Sequence, residues 1–125
     1  MVKLVTNNPR AKAWWAESES FHVHILWQSG GFISVLTAAR DLVHQGWRLL
    51  NHPLSSSIKP NQTPYKTLVL VPGQQLDLPS LQAVEAALEA VAKLGTFPGA
   101  DANVLADLEL LDLEMCKDIN IWEGV

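Results

Sequence analysis

Cysteine and long apolar runs are scarce in this 125-residue sequence, and each shortage excludes a class of protein. Cys116 is the single cysteine, so an internal disulfide cannot form and a secreted disulfide scaffold is excluded. No apolar run approaches the roughly 20 residues that cross a bilayer, and no signal-peptide pattern surrounds Val2. We therefore expect a cytoplasmic protein in a reducing compartment, with no membrane partner.

The sequence also lacks a surplus of basic charge, since it contains 9 Lys and Arg residues and 13 Asp and Glu residues. The charges are unevenly distributed: residues 1–66 carry seven basic and three acidic side chains, whereas residues 67–125 carry two and ten. Nucleic-acid-binding domains usually present a dense basic face and an alkaline pI, so we expect no nucleic-acid partner. The mildly basic first half is better suited to a small anion.

Several signature motifs are absent as well. No Gly-rich dinucleotide or Walker loop follows the first predicted strand, and the serines at 55–57 lack the frame of a nucleophile elbow. His22 and His24 share a strand face, but a third metal ligand is not identifiable. The sequence therefore predicts no cofactor and no metal, identifies no catalytic residue, and leaves open whether the chain is an enzyme.

The pattern of apolar residues predicts strands that alternate with helices. Strands are expected at 2–6, 21–27, 47–51, 67–71 and 108–111. Helices are expected at 10–16, from 32 until Gly46 stops it, from about 77–80 to just before Gly95, and after a cap at Asp112. The leucines of the tail also fit a single helical stripe, but we favour the strand followed by the capped helix.

This order predicts one α/β domain spanning residues 1–125. Because strands and helices alternate, we expect a small three-layer α/β/α domain with a mostly parallel, Rossmann-like sheet of four to five strands. The uninterrupted apolar run at 67–71 is expected to be a central strand.

Candidate ligand-binding residues follow the first and third predicted strands, where open α/β sheets bind their ligands. Asn7 and Asn8 offer carboxamides at a helix N-terminus, although helix capping alone would also explain Asn8. The loop at 52–66 is long for a compact domain, which favours a functional segment. Its hydroxyls, successive backbone N–H groups and one point charge suit phosphate or carboxylate. The candidates in this loop are His52, Ser55, Ser56, Ser57, Lys59, Thr63 and Tyr65.

Five segments of the sequence resemble the GrdX family: Val5–Pro9, Asp41–Gly46, Asn51–Leu54, Ser57–Pro60 and Thr63–Lys66. The resemblance covers most of residues 1–80 and is most specific in the long loop. It implies an α/β fold and an accessory role, because these small proteins are encoded with the glycine, sarcosine and betaine reductase machinery of amino-acid fermenters. It implies no catalytic residue.

We interpret the chain as a GrdX-like accessory protein that binds a small anion and is associated with glycine or betaine reductase components. One alternative is an enzyme acting on a small amine or amino-acid derivative, with His52 as general base and Tyr65 or Lys66 as acid. Another is an interaction scaffold built on Trp14 and Trp15, which as helical neighbours cannot share one face. A homodimer is compatible with each interpretation.

Overall fold

The computed structural model of the chain describes residues 1–17, 23–55 and 58–119. Within these ranges it contains four strands and four helices. In chain order they are β1 (Val2–Thr6), α1 (Pro9–Ala16), β2 (Val23–Trp27), α2 (Phe32–His44), β3 (Trp47–Leu49), β4 (Thr67–Pro72), α3 (Leu78–Leu94) and α4 (Ala102–Cys116). The first seven predicted elements are confirmed in type and order, although positions 21–22 of the second predicted strand lie outside the described residues.

The sheet has the strand order β2-β1-β4-β3. β1 pairs with β2 in parallel, whereas β4 is antiparallel to both β1 and β3. The sheet is therefore mixed with mostly antiparallel pairing, and the predicted mostly parallel, Rossmann-like sheet is wrong. The physical reason lies between β3 and β4: a parallel neighbour needs a crossover, usually helical, and the described residues between 50 and 66 contain no helix. The chain therefore returns beside β3 in the opposite direction.

Helices cover both faces of this sheet, because successive side chains of a strand point to opposite sides. Leu68 and Leu70 of β4 pack in a cluster with α2 and α3. Val69 and Val71 pack in a second cluster that includes Ala11 and residues of α1 and α4. All four of these β4 side chains are fully buried, which confirms that β4 is a central strand.

The tail differs from the prediction, since residues 102–116 form one helix. The predicted strand at 108–111 and the predicted helix cap at Asp112 are both wrong. Asp101 caps α4 instead, because its carboxylate accepts a hydrogen bond from the Val104 amide at 3.0 Å. The leucine alternation that favoured a strand has no structural role, as Leu110 is 45% exposed.

Two glycines meet where β3 begins and β4 ends. Gly46 has a φ of +100°, which L side chains rarely adopt, and its carbonyl oxygen lies against Gly73. A Cβ on Gly73 would be 2.5 Å from that oxygen. The close approach brings Trp47 into register with Pro72 at the edge of the sheet.

We expect Gly73→Ser to lower the free energy of unfolding by roughly 1–3 kcal/mol, because its Cβ would overlap the Gly46 carbonyl oxygen. Urea denaturation measures this change. Gly31→Ser is the matched control, since a Cβ at Gly31 meets no atom within 4 Å and serine is a good helix N-cap. Equal losses in the two variants would contradict the close approach.

Candidate functional site

A group of buried polar side chains lies where β1 ends beside the start of β4. Thr6 is the last residue of β1, and its register partner on the antiparallel β4 is Thr67. Asn7 and Asn8 follow Thr6, and all four residues are buried. Because α4 packs against α1 and β4, it covers this group from one side of the sheet.

Asn8 is the hub of the group and is fully buried. Its amide oxygen accepts a hydrogen bond from the Arg10 amide at 3.0 Å and so caps α1. Its amide nitrogen donates to the Glu109 carbonyl at 2.8 Å and to Asp112 Oδ2 at 2.9 Å. One side chain therefore caps α1 and fastens α4 to the end of β1.

Asn7 connects the same point of the chain to the loops. Its amide nitrogen donates to the carbonyl oxygens of Gly30 at 3.0 Å and Pro64 at 2.7 Å. Its amide oxygen accepts a hydrogen bond from the Lys66 amide at 2.9 Å. Every polar atom of this side chain is engaged in positioning backbone.

The hydrogen bonds of the two threonines run in one direction. Thr67 donates its single hydroxyl proton to Asp112 Oδ2 at 2.7 Å. The Thr6 hydroxyl, 2.7 Å from that of Thr67, must then donate to it, and it accepts in turn from the Asn8 amide at 3.0 Å. The chain of donors ends on the Asp112 carboxylate.

Lys66 lies beside this network and is only 6% exposed. In the described part of the chain, its ammonium forms no hydrogen bond and no ion pair. Burial lowers the pKa of Lys66, and Coulombic interactions, first with Asp112 and then with Cys116 once its thiol ionises at alkaline pH, oppose that shift. The site thus contains a largely buried lysine whose ammonium has no hydrogen-bond or ion-pair partner in the described residues and keeps a small contact with solvent.

Lys66 lines a small cavity of about 20 Å³, enough for about one water molecule. Asp112, Thr63 and Tyr65 supply its other polar lining. The remaining walls are apolar and come from α2, α4 and the long loop; they are Phe32, Ile58, Leu108 and Met115. Lys66 therefore lines a confined space with equal numbers of polar and apolar residues.

Tyr65 and Glu109 form an outer pair beside the cavity. The Tyr65 hydroxyl donates to Glu109 Oε2 at 3.0 Å, and Arg10 Nε lies 3.3 Å from Glu109 Oε1. Burial, followed by the hydrogen bond to Glu109 and its charge, raises the pKa of Tyr65. Glu109 is thereby engaged by both Arg10 and Tyr65.

An apolar groove of about 280 Å³ adjoins the cavity, and both are lined by Phe32 and Thr63. The groove runs between the long loop, the start of α2 and the segment after α3. Its further apolar lining comes from Ile33, Pro60, Pro64, Val91 and Phe97. The site thus combines one buried cation with a larger apolar surface.

Cys116 packs under the network but offers no reactive thiol. It is 1% exposed, and its sulfur accepts a hydrogen bond from Trp15 Nε1 at 3.5 Å. Burial raises the pKa of the Cys116 thiol to about 11, so the thiol stays protonated at neutral pH. It has the environment of a small core residue.

The structure places the predicted site residues in three locations. Asn7, Asn8, Thr63 and Tyr65 lie around the polar group and its cavity. His52 lines a different cavity of about 380 Å³, together with Arg48, Asn51 and Asp77. Ser55 and Lys59 are exposed and line neither cavity. Ser56 and Ser57 lie outside the described residues.

Sequence reasoning missed Thr6, Thr67, Glu109 and Asp112, and named Lys66 only as an acid of the alternative enzyme. The signal for the two carboxylates was the helical spacing of the tail. Glu109, Asp112 and Cys116 are separated by three and four residues, so on one helix they share a face. The predicted strand at 108–111 concealed this spacing.

Two further findings concern the described residues alone. No group of three or more His, Cys, Asp or Glu side chains among them could hold a metal ion. His24 is exposed on the edge strand β2, and His22 lies outside the described residues. No helix in the described ranges is long and apolar enough to cross a membrane.

The fold and the site define an α/β protein with helices on both faces of a mixed sheet and a buried polar group at one sheet edge. The sequence model of one family, described as GrdX-like protein, matches residues 3–119. The chain therefore belongs to the GrdX-like protein family, as the resemblance predicted. Searches of curated proteins and of solved structures found no match.

We expect Asn8→Asp to lower the free energy of unfolding by roughly 3–5 kcal/mol at pH 7, because it places a second carboxylate against Asp112 in a buried position. Thermal or urea unfolding measures the loss. Asn103→Asp is the control, since Asn103 is exposed in the first turn of α4, where an added acid is tolerated. A similar stability in both variants would show that the Asn8 contacts contribute little.

We expect Lys66→Met to be at least as stable as the wild type at pH 7, with an advantage that shrinks as pH rises toward 10.5. The pKa of Lys66 is lower in the folded state than in the unfolded state. Between these two pKa values the unfolded protein binds more protons than the folded protein, so wild-type stability increases with pH in this range. The free energies of unfolding of both proteins are measured from neutral to alkaline pH, and one is subtracted from the other. The subtraction cancels the titration of the other groups, which both proteins share. A difference independent of pH would contradict the lowered pKa.

Proposed function

We propose that the protein binds a small anion at the cavity beside Lys66 and acts as a non-catalytic accessory protein. The supporting observation is the Lys66 side chain, which is largely buried, lines a cavity and ends in an ammonium with no hydrogen bond or ion pair to the described residues. An isolated buried charge is unfavourable, and a bound anion would compensate it. Ligand binding explains why a lysine occupies this position.

Asp112 does not remove this need for a counter-ion. It lines the same cavity and favours the charged form of Lys66, yet its carboxylate lies beyond ion-pair distance of the ammonium. Its Oδ2 already accepts hydrogen bonds from Asn8 and Thr67. The network fixes Asp112 in position, and the amine remains available to an incoming anion.

The proposed binding cation is therefore Lys66 and not Lys59, the charged candidate that the sequence of the loop indicated. Lys59 is exposed, and water already solvates an exposed ammonium, so an anion gains little there. Lys66 ends the same loop but is buried. The loop remains part of the proposal because Thr63 and Tyr65 line the cavity.

The enzyme alternative receives less support from the geometry. His52 Nδ1 accepts a hydrogen bond from the Leu54 amide at 3.0 Å, which occupies the lone pair that a general base at this nitrogen would use. His52 also lines a different cavity from Tyr65 and Lys66. Base and acid of that mechanism are thus not brought together.

The scaffold alternative rests on one exposed tryptophan. Trp15 is buried, whereas Trp14 is 40% exposed, so the two occupy different environments as predicted. Use of Trp14 as an interface anchor stays a prediction. An association with glycine or betaine reductase components is likewise part of our proposal, motivated by the family, and a cytoplasmic location agrees with it.

Anion binding is tested by thermal shift and calorimetry with acetate and inorganic phosphate as probes, on the wild type, Lys66→Met and Lys59→Met. A probe at a hundredfold its Kd stabilises the folded state by ~2.7 kcal/mol. We expect at least one probe to stabilise the wild type and Lys59→Met and to leave Lys66→Met unchanged.

Two results would contradict this proposal. Binding that persists in Lys66→Met would exclude the buried cavity as the site. Binding that disappears only in Lys59→Met would return the anion site to the exposed part of the loop.

A further inference from the structure

We infer that the ligand of this site is a monocarboxylate with an apolar tail, such as a short-chain or aromatic carboxylic acid, rather than phosphate. The inference rests on the proposed function, because it names the ligand class of the same site. It follows from three features: the charge at the cavity, its size and the groove beside it.

The charges at the cavity favour a singly charged ligand over a doubly charged one. Lys66 provides one positive charge, and the carboxylate of Asp112 lines the same cavity. A phosphate dianion would bring two negative charges close to that carboxylate, which is unfavourable in a largely buried setting. A monocarboxylate brings one negative charge, so it repels Asp112 less than phosphate does.

Two donors are available to a carboxylate oxygen that enters the cavity. The Lys66 ammonium is the first. Thr63 is the second, because its Oγ1 accepts a hydrogen bond from the Tyr65 amide at 3.2 Å, which leaves its hydroxyl proton free to donate. Phosphate recognition usually adds backbone amides or a guanidinium fork. The nearest guanidinium on this side, that of Arg10, is paired with Glu109.

The size of the cavity restricts what can approach the ammonium. Its volume of about 20 Å³ admits only a group of roughly the size of one water molecule. The rest of a ligand must lie elsewhere, and the groove of about 280 Å³ adjoins the cavity at Phe32 and Thr63. A ligand held by Lys66 therefore extends into this groove.

The groove is suited to an apolar tail. Phe32, Ile33, Val91 and Phe97 line it, with two prolines of the loop. Ile33 is 44% exposed, so apolar surface is left in contact with water. Covering it with methylene or aromatic groups is favourable, at roughly fourfold in affinity for each buried methylene. The described residues that line the groove carry no charge that would select a polar tail.

Calorimetric titration of the full chain with acetate, butyrate, hexanoate and inorganic phosphate tests the inference, with hexanol and hexylammonium as matched probes that lack the carboxylate. We expect the Kd to fall roughly fourfold per methylene from acetate to hexanoate. We expect phosphate, hexanol and hexylammonium to bind at least tenfold more weakly than hexanoate.

Variants distinguish the contribution of the ligand's carboxylate to binding from that of its apolar tail. Lys66→Met should abolish hexanoate binding. Ile33→Ser should weaken hexanoate at least tenfold while acetate is unchanged, because only the tail reaches the groove. Val104→Ser is the matched control, since Val104 is also a 44% exposed helical residue but does not line the groove. It should bind hexanoate as the wild type does.

The outcomes distinguish failure of the inference from failure of the proposed function. Two results would contradict the apolar tail but leave anion binding intact. These are equal affinity for acetate and hexanoate, and tighter binding of phosphate than of hexanoate, provided that Lys66→Met loses the binding in either case. Hexanol binding as tight as hexanoate and retained in Lys66→Met would overturn both proposals, as would binding of none of the probes.

Discussion

The contact between Asn8 and Asp112 is the constraint on which the site depends. It joins residues more than a hundred positions apart and connects the fully buried Asn8, at the end of β1, to the partly buried Asp112 of α4. Thr67 completes the junction by bonding the same carboxylate oxygen, so β4 is included. Because buried polar groups are costly when unpaired, all partners must be present together, which specifies one arrangement of these elements.

Most of the network is satisfied internally, and that makes Lys66 distinctive. Both carboxamides, both threonines and the shared oxygen of Asp112 have short hydrogen bonds within the protein. The amine beside them has none in the described ranges. A rigid set of satisfied polar groups around one uncompensated charge is the arrangement of a preorganised binding site, because the protein does not reorganise when the charge is matched.

Local patterns predicted the fold well up to α3, because apolar periodicity and caps such as Asn8 and Asp77 act over a few residues. Strand direction was not predictable in the same way, since it depends on how β4 pairs across the sheet. Asn7, Asn8, Thr63 and Tyr65 were predicted at the site from their positions after a strand or within the long loop. Asp112 was not, because its role arises only when α4 packs on the sheet.

The connection between β3 and β4 gives the architecture a modular character. In a helical crossover, this segment would pack against a face of the sheet, and a change in its length would disturb the core. The segment instead returns along the sheet edge and supplies walls to both the cavity and the groove. Changes in its length or composition can therefore reshape the proposed ligand site while the strand register is preserved, so the proposed selectivity is separable from the fold.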